Sequence, residues 1–254
     1  MKKRLDVLLV ERGLAETRSQ AQALVLAGRV TGFAKPGEQV DENTIVEVAR
    51  AAPYVSRGGE KLAHAIAELG VAVAGLDCAD VGASTGGFTD ALLQHGAARV
   101  IAIDVGYGQL HPRLRHHARV IVLERTNARE LQSLPFPPQL VTCDVSFISV
   151  RKALPPVLAV AAPDWSALVL VKPQFEAGRA YVGRGGVVRD ADIHARVLRE
   201  VATAALAWDG RLAGVVDSGL PGPKGNREFF VHLVHRERPE LPDDLDRWIE
   251  RAVG

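Results

Sequence analysis

Leu76-Asp77-Cys78-Ala79-Asp80-Val81-Gly82-Ala83-Ser84-Thr85-Gly86-Gly87-Phe88-Thr89 reads as a short apolar strand, a glycine-rich turn and the start of a helix reaching about Gln94. A strand that breaks at glycines and feeds a helix builds a cradle of backbone N–H groups that a ligand can approach closely. The glycines fall at 82, 86 and 87, with Asp80 before them. That spacing departs from the dinucleotide fingerprint G-x-G-x-x-G and favours a nucleoside ligand without a pyrophosphate. A second apolar run, Arg99–Asp104, ends in a carboxylate placed to accept hydrogen bonds from both hydroxyls of a ribose. The candidate ligand contacts are therefore Asp80, Gly82, Ser84, Thr85, Gly86, Gly87, Phe88 and Asp104.

Outward from this turn, apolar runs alternate with helical segments. The expected strands are 77–82, 99–104, 120–124, 140–144, 167–172, 211–217 and 228–235. Such alternation predicts a parallel, doubly wound α/β sheet. The last run follows a turn rich in Gly and Pro, so it is expected to return as a hairpin on 211–217 and run antiparallel. A final amphipathic helix is expected from about Asp243, with Leu245, Trp248, Ile249 and Ala252 inward. Ligands of open α/β sheets sit beyond the carboxyl ends of the strands. Those ends carry Asp80, Asp104, Glu124 with nearby Asn127, Asp144 and Lys172. Glu228 opens the antiparallel run and so falls on the same rim, which Lys61, from the helix before the first strand, can also reach.

Residues 1–49 read as a small α+β module. Arg4–Arg12 is helical with Leu5, Leu8 and Leu9 on one face, and Thr17-Arg18-Ser19-Gln20 is a capping-box pattern that opens a second helix. Short strands are expected near Arg29–Val30 and Thr44–Val48. Positions 1–35 hold seven basic residues against three acidic, which makes one pole basic, as a phosphate-backbone contact requires. Residues 50–59, with Pro53, Gly58 and Gly59, read as an interdomain linker, and 60–254 as the second domain.

Bulk properties exclude several classes. With 47% hydrophobic and 24% charged residues, the composition is that of a globular protein, and the net charge is only +1. No run approaches the apolar length of a membrane span, and no signal-peptide core opens the chain, so a cytoplasmic setting is expected. Cys78 and Cys143 lie inside apolar runs, as small core residues do, and no metal site is expected.

Several motifs add specificity. Arg4-Leu-Asp-Val-Leu-Leu-Val10, Thr17-Arg-Ser-Gln-Ala-Gln-Ala-Leu24 and Ala27-Gly-Arg-Val30 resemble the RNA-binding domain named after ribosomal protein S4. This resemblance implies that Arg4, Arg18, Gln22 and Arg29 face RNA. Over essentially all of 1–235 the chain resembles the TlyA family, two-domain proteins long called haemolysins and related to the FtsJ-like RNA ribose methyltransferases. The match rests on Tyr54-Val-Ser-Arg-Gly-Gly59 with Lys61, on Asp80–Thr89 and on Cys143-Asp-Val-Ser-Phe-Ile-Ser149. It also rests on Val171-Lys-Pro-Gln-Phe-Glu176, Gly185-Gly-Val-Val-Arg-Asp190 and Lys224-Gly-Asn-Arg-Glu228-Phe. The family implies a Rossmann-like methyltransferase with a seven-stranded, mostly parallel sheet. It also implies S-adenosylmethionine as cofactor, with Asn127 and Asp144 among its contacts, and ribosomal RNA of the ribosomal subunits as partner. The expected reaction is methylation of a ribose 2′-hydroxyl, with cytidine the expected nucleoside, and a catalytic tetrad of Lys61, Asp144, Lys172 and Glu228. Two departures from the family pattern are Gly219, where proline is expected after Ser218, and Tyr54, where tryptophan is frequent.

The chemistry agrees with that reading. A ribose hydroxyl is a poor nucleophile near neutral pH and must be activated beside an electrophilic methyl sulfonium. Lys172 is the candidate to orient or deprotonate it, with Asp144 and Glu228 fixing the lysine and Lys61 adding positive potential. His111–Arg119 is a basic cluster that either touches RNA or forms the exposed face of a connecting segment, and Gly178–Arg189 reads as a mobile loop closing over RNA or as plain irregular structure. Competing readings are an NAD-dependent oxidoreductase, a membrane-active haemolysin and a non-catalytic RNA-binding or assembly protein. The glycine spacing and the tetrad weigh against the first, the lack of a spanning run against the second, and the intact tetrad against the third.

Overall fold

The computed structural model describes residues 2–26, 28–48 and 52–254. The chain divides into two compact units, Met1–Pro53 and Tyr54–Gly254. In the first, β1 (Lys2–Arg4) pairs antiparallel with β2 (Gln39–Asp41), and α1 (Leu5–Glu11) packs with α2 (Arg18–Leu26). Leu5, Leu8, Leu9, Ala21, Val25 and Val40 form its core. Thr17 Oγ1 accepts from the Gln20 amide at 3.2 Å, and the Gln20 side chain accepts from the Glu16 amide at 2.7 Å, so α2 opens through a capping box shifted by one residue. The strands expected near Arg29–Val30 and Thr44–Val48 reduce to a single bridge between Val30 and Val48. The sheet forms instead from Lys2–Arg4, a charged stretch with no apolar alternation to announce it.

The second unit is built on a seven-stranded sheet. Its strands are β3 (Asp77–Val81), β4 (Arg99–Ile103), β5 (Val120–Leu123), β6 (Leu140–Cys143), β7 (Ser166–Val171), β8 (Gly210–Asp217) and β9 (Phe229–His235), in the order β5-β4-β3-β6-β7-β9-β8. The first five run parallel, and β9 lies antiparallel between β7 and β8. The central strands are apolar on both sides because both faces are covered. Cys78, Val100, Leu168 and Phe230 face α3 (Arg57–Leu69) and α4 (Gly87–Gln94). Val81, Ile101, Val169 and Phe229 face the other layer, which holds α6 (Val150–Ala153), α7 (Pro155–Leu158), α9 (Ala191–Ala205) and α10 (Leu245–Val253). The short helices α5 (Pro112–Arg115) and α8 (Pro173–Glu176) follow β4 and β7. Both cysteines are buried, and burial pushes the Cys78 thiol up to about 12, as expected for inert core residues.

The expected linker 50–59 needs correction in its second half; residues 49–51, where the expected boundary falls, lie outside the described residues. Tyr54 and Val55 pack against the α3–α4 layer, the Val55 amide donates to Asp90 at 2.9 Å, and α3 begins at Arg57. Gly59 serves close packing: a Cβ there would overlap the Tyr54 side chain and sit 2.9 Å from the Gly87 carbonyl oxygen. Glycines that suggest a flexible joint in sequence thus let two helices touch backbone to backbone.

Candidate active site

The parallel strands deliver their carboxyl ends to one rim. There Gly82 takes a left-handed backbone, φ +82°, and a Cβ on it would overlap the main chain of Asp144 on the neighbouring strand end. Only glycine fits, because two strand ends converge under the turn. The Ser84 amide donates to Asp104 Oδ2 and the Gly106 amide to Asp104 Oδ1, both at 2.7 Å. These bonds fix the Asp104 carboxylate, and each oxygen retains capacity for a further donor.

A cavity of about 390 Å³ opens against this rim, lined by Gly82, Ser84, Asp104, Asn127 and Asp144 among the expected ligand contacts. Ile103, Val105, Ile148 and Ala153 supply apolar wall. Asn127 accepts from the Arg129 amide at 3.2 Å and donates to Glu130 at 2.7 Å, so it also caps the short turn below. An apolar cleft with a fixed carboxylate at one end suits a nucleoside: base in the cleft, ribose hydroxyls on Asp104.

The other expected contacts sit elsewhere. Asp80 is fully buried and accepts from Thr89 Oγ1 at 2.6 Å and Thr142 Oγ1 at 3.3 Å; it ties β3 to α4 and β6 beneath the turn. Burial pushes its carboxyl up to about 7. Gly87 packs against α3, and Phe88 is buried against Phe230 with ring centroids 5.7 Å apart. Thr85 and Gly86 complete the turn, the Thr85 carbonyl accepting from the His111 amide at 3.1 Å, and neither lines the cavity.

The tetrad candidates pair off. Lys61 Nζ donates to Glu228 Oε2 at 2.6 Å in a buried ion pair. Lys172 pairs with Asp144 and donates to Ser146 Oγ at 3.0 Å. The register joins the pairs: Val171 faces Phe229 across β7 and β9, which sets Lys172 opposite Glu228 just beyond the strands. Since Asp144 also lines the cavity, the Lys172–Asp144 pair lies at the cavity wall.

Sequence reading uses the segment after Asp144 as a family motif but gives Ser146, Phe147 and Ile148 no place in the site. Ser146, Phe147 and Ile148 line the cavity, and Phe147 is 91% exposed with φ +65°, its ring tilted against Phe175 with centroids 5.2 Å apart. An exposed aromatic in a left-handed backbone conformation is costly. Beyond it opens a groove of about 710 Å³ lined by Arg129, Lys152, Arg179 and both phenylalanines. In the basic cluster at 111–119, Arg113 pairs with Asp90, Arg115 with Glu124 and Arg119 with the Ala97 carbonyl, while the Arg113 side chain stays 59% exposed.

Two expectations change at the far lip. The loop 178–189, expected to be mobile, is pinned by Asn226, which accepts from the Val188 amide at 3.1 Å and donates to the Gly186 carbonyl at 3.0 Å. Gly219, standing where proline was expected, has φ +74°, a value the proline ring forbids. In the first unit, Arg4, Arg18 and Gln22 meet on the carboxylate of Asp6. Arg29 follows α2, its amide closing on the Leu24 carbonyl at 3.0 Å.

A doubly wound sheet with one antiparallel strand, a nucleoside-sized cavity at its carboxyl rim and paired lysines and carboxylates beside it define a methyltransferase. The chain belongs to the FtsJ-like methyltransferase family, whose model matches residues 54–235, and its residues 3–31 match the S4 domain. It is 45% identical to the 16S/23S rRNA (cytidine-2′-O)-methyltransferase TlyA of Mycobacterium tuberculosis, over 99% of this chain and 97% of that one. It is 37% identical to Hemolysin A of Brachyspira hyodysenteriae, over 91% of this chain and 99% of that one. A solved structure described as a candidate haemolysin from Streptococcus thermophilus superposes with a TM-score of 0.76 at 39% identity, covering 99% of this chain and 95% of the other. Among the described residues, no helix is long and apolar enough to cross a membrane, and no cluster of His, Cys, Asp or Glu is built to hold a metal.

Proposed function

We propose that this methyltransferase acts on a ribose 2′-hydroxyl of ribosomal RNA, at cytidine, with S-adenosylmethionine as cofactor. When bound, that cofactor supplies an electrophilic methyl group. Gly82, Ser84, Asp104 and Asn127 would hold its nucleoside part, with Asp104 on the ribose and Val105, Ile148 and Ala153 around the base. The fit rests on the close strand ends at Gly82 and on the fixed Asp104 carboxylate, which together leave a slot for a nucleoside and no pyrophosphate cradle.

One observation carries the reading: Asp144 lines this cavity and at the same time pairs with Lys172. Lys172 is thereby held where a substrate hydroxyl would meet the cavity. Anchored by Asp144 and Ser146, it orients the 2′-hydroxyl, and its neutral amine form takes up the hydroxyl proton as the oxygen is methylated. Lys61 holds Glu228 in place next to Lys172, and its own positive charge stabilises oxyanion character as it develops on the ribose. Phe147 and the groove of Arg129, Lys152 and Arg179 offer a stacking face and phosphate partners to an unpaired stretch of RNA. The first unit, taken as an S4-type RNA-binding domain ending near residue 49, would supply further phosphate contacts. The setting we assign is the cytoplasm, with the ribosomal subunits.

The test is transfer of labelled methyl from S-adenosylmethionine to purified ribosomal subunits that lack the modification. Label that resists alkaline cleavage at a cytidine ribose, and is absent with Lys172→Ala, is expected. No label in either subunit or in free ribosomal RNA, with cofactor binding verified by calorimetry, would reject the assignment.

A further inference from the structure

The first unit holds a charge that its size does not favour. Asp6 lies in α1 between Leu5, Leu8 and Leu9 and has no exposed surface. Arg4 donates to it twice, Nε to Oδ1 at 3.1 Å and Nη2 to Oδ2 at 2.9 Å. Arg18 Nε reaches Oδ2 at 3.0 Å, and Gln22 Nε2 reaches the same oxygen at 2.8 Å. These donors come from the strand before α1 and from two successive turns of α2. The arginines hold the carboxyl well below the usual carboxylate range, so it stays ionised at any working pH. A buried carboxylate is expensive, and a small core gains more from a leucine at such a position.

What the charge does is visible at its partners. The Arg4 and Arg18 side chains remain 42% and 54% exposed, so each guanidinium has one edge on Asp6 and others at the surface. A free arginine loses rotamer freedom when it binds; one already held by a carboxylate has lost that freedom on folding. We propose that Asp6 is a positioning residue for RNA recognition: it fixes Arg4, Arg18 and Gln22 as one rigid face whose remaining N–H donors match the phosphate spacing of a folded RNA. The proposal rests on the reading of this unit as an RNA-binding surface and names what sets its selectivity.

The sign of one substitution separates positioning from bulk charge. Asp6 is negative on a basic face, so counterion arguments have Asp6→Asn tighten every RNA. Positioning has it weaken folded RNA while leaving an unstructured polymer unchanged or tighter. The measurement is filter binding of the full chain to purified ribosomal RNA and to poly(A), well below the unfolding temperature and with fold checked by circular dichroism. Asp6→Asn should weaken ribosomal RNA about tenfold relative to poly(A). Equal or tighter binding of both RNAs overturns the proposal. Arg18→Lys keeps the charge but not the fork, and should lose a similar factor; binding like the wild type overturns the proposal even if Asp6→Asn fails to fold. Arg18→Ala tests the underlying reading: undiminished binding of both RNAs would remove the RNA surface itself, whereas weakened binding beside an inert Asp6→Asn would remove only the role of Asp6.

Discussion

Lys61 and Glu228 stand 167 residues apart in the chain, yet their side chains form a 2.6 Å ion pair with almost no exposure. Their meeting depends on β9 lying between β7 and β8, so that its first residues return to the rim where α3 begins.

Breaking this pair should separate stability from catalysis. Glu228→Gln leaves a buried ammonium without its counter-charge, a loss of about 3–5 kcal/mol. Lys61→Met with Glu228→Gln should recover much of that stability in urea unfolding and yet remain without methyl transfer. Activity returning along with stability would show the pair to be structural only.

Cofactor affinity should depend on Asp104 more than on Asp80. Asp104→Asn weakens acceptance from ribose hydroxyls and unsettles the Ser84 and Gly106 amides, so binding of S-adenosylmethionine should fall about tenfold or more by calorimetry. Asp80→Asn can keep bonds to Thr89 and Thr142 and should bind within a few-fold of wild type. The reverse ranking would move the ribose contact off Asp104.

Asn226→Ala should release the loop that Asn226 holds. Asn226 lies two residues before Glu228, and its side chain bonds the Val188 amide and the Gly186 carbonyl. Limited trypsin digestion should cut faster after Arg184, and turnover should fall while cofactor binding is retained. An unchanged cleavage rate would mean that other contacts hold the loop.

His232 should impose an acid limit on stability. Burial lowers its ring from 6.5 to about 4, and Ser166 Oγ lies 2.8 Å from its Nε2. Between those values the unfolded chain takes up a proton that the native state refuses, so this contribution is full above pH 6.5 and is lost as pH falls toward about 4. His232→Gln should reduce the drop in urea midpoint between about pH 7 and about pH 5. An equal drop in both proteins would show that the ring titrates as if exposed.

Much of this molecule is legible in one dimension. Apolar runs such as Val100–Ile103 and Leu140–Cys143 mark strands covered on both faces, and the acidic residues at their ends mark the rim. Gly82 announces the turn because glycine alone takes a left-handed backbone, here φ +82°, without steric cost. These are local statements, each fixed by a residue's own steric and apolar character, and the sequence determined them alone.

Tertiary structure decided what residues of the same type do. Gly59 and Gly87 resemble joint and cradle glycines in sequence, but each spares a Cβ between two packed helices. Asp80 and Asp104 both end strands, yet one is sealed beneath the turn while the other faces the cavity. Lys2–Arg4 becomes a strand only because Gln39–Asp41 comes alongside it. Asp6 gathers two arginines and a glutamine, and Lys61 finds Glu228, through register and helix packing between distant segments. Side-chain partnership across such separations is set by which surfaces the folded chain brings within a few ångströms, and spacing along the sequence does not encode it.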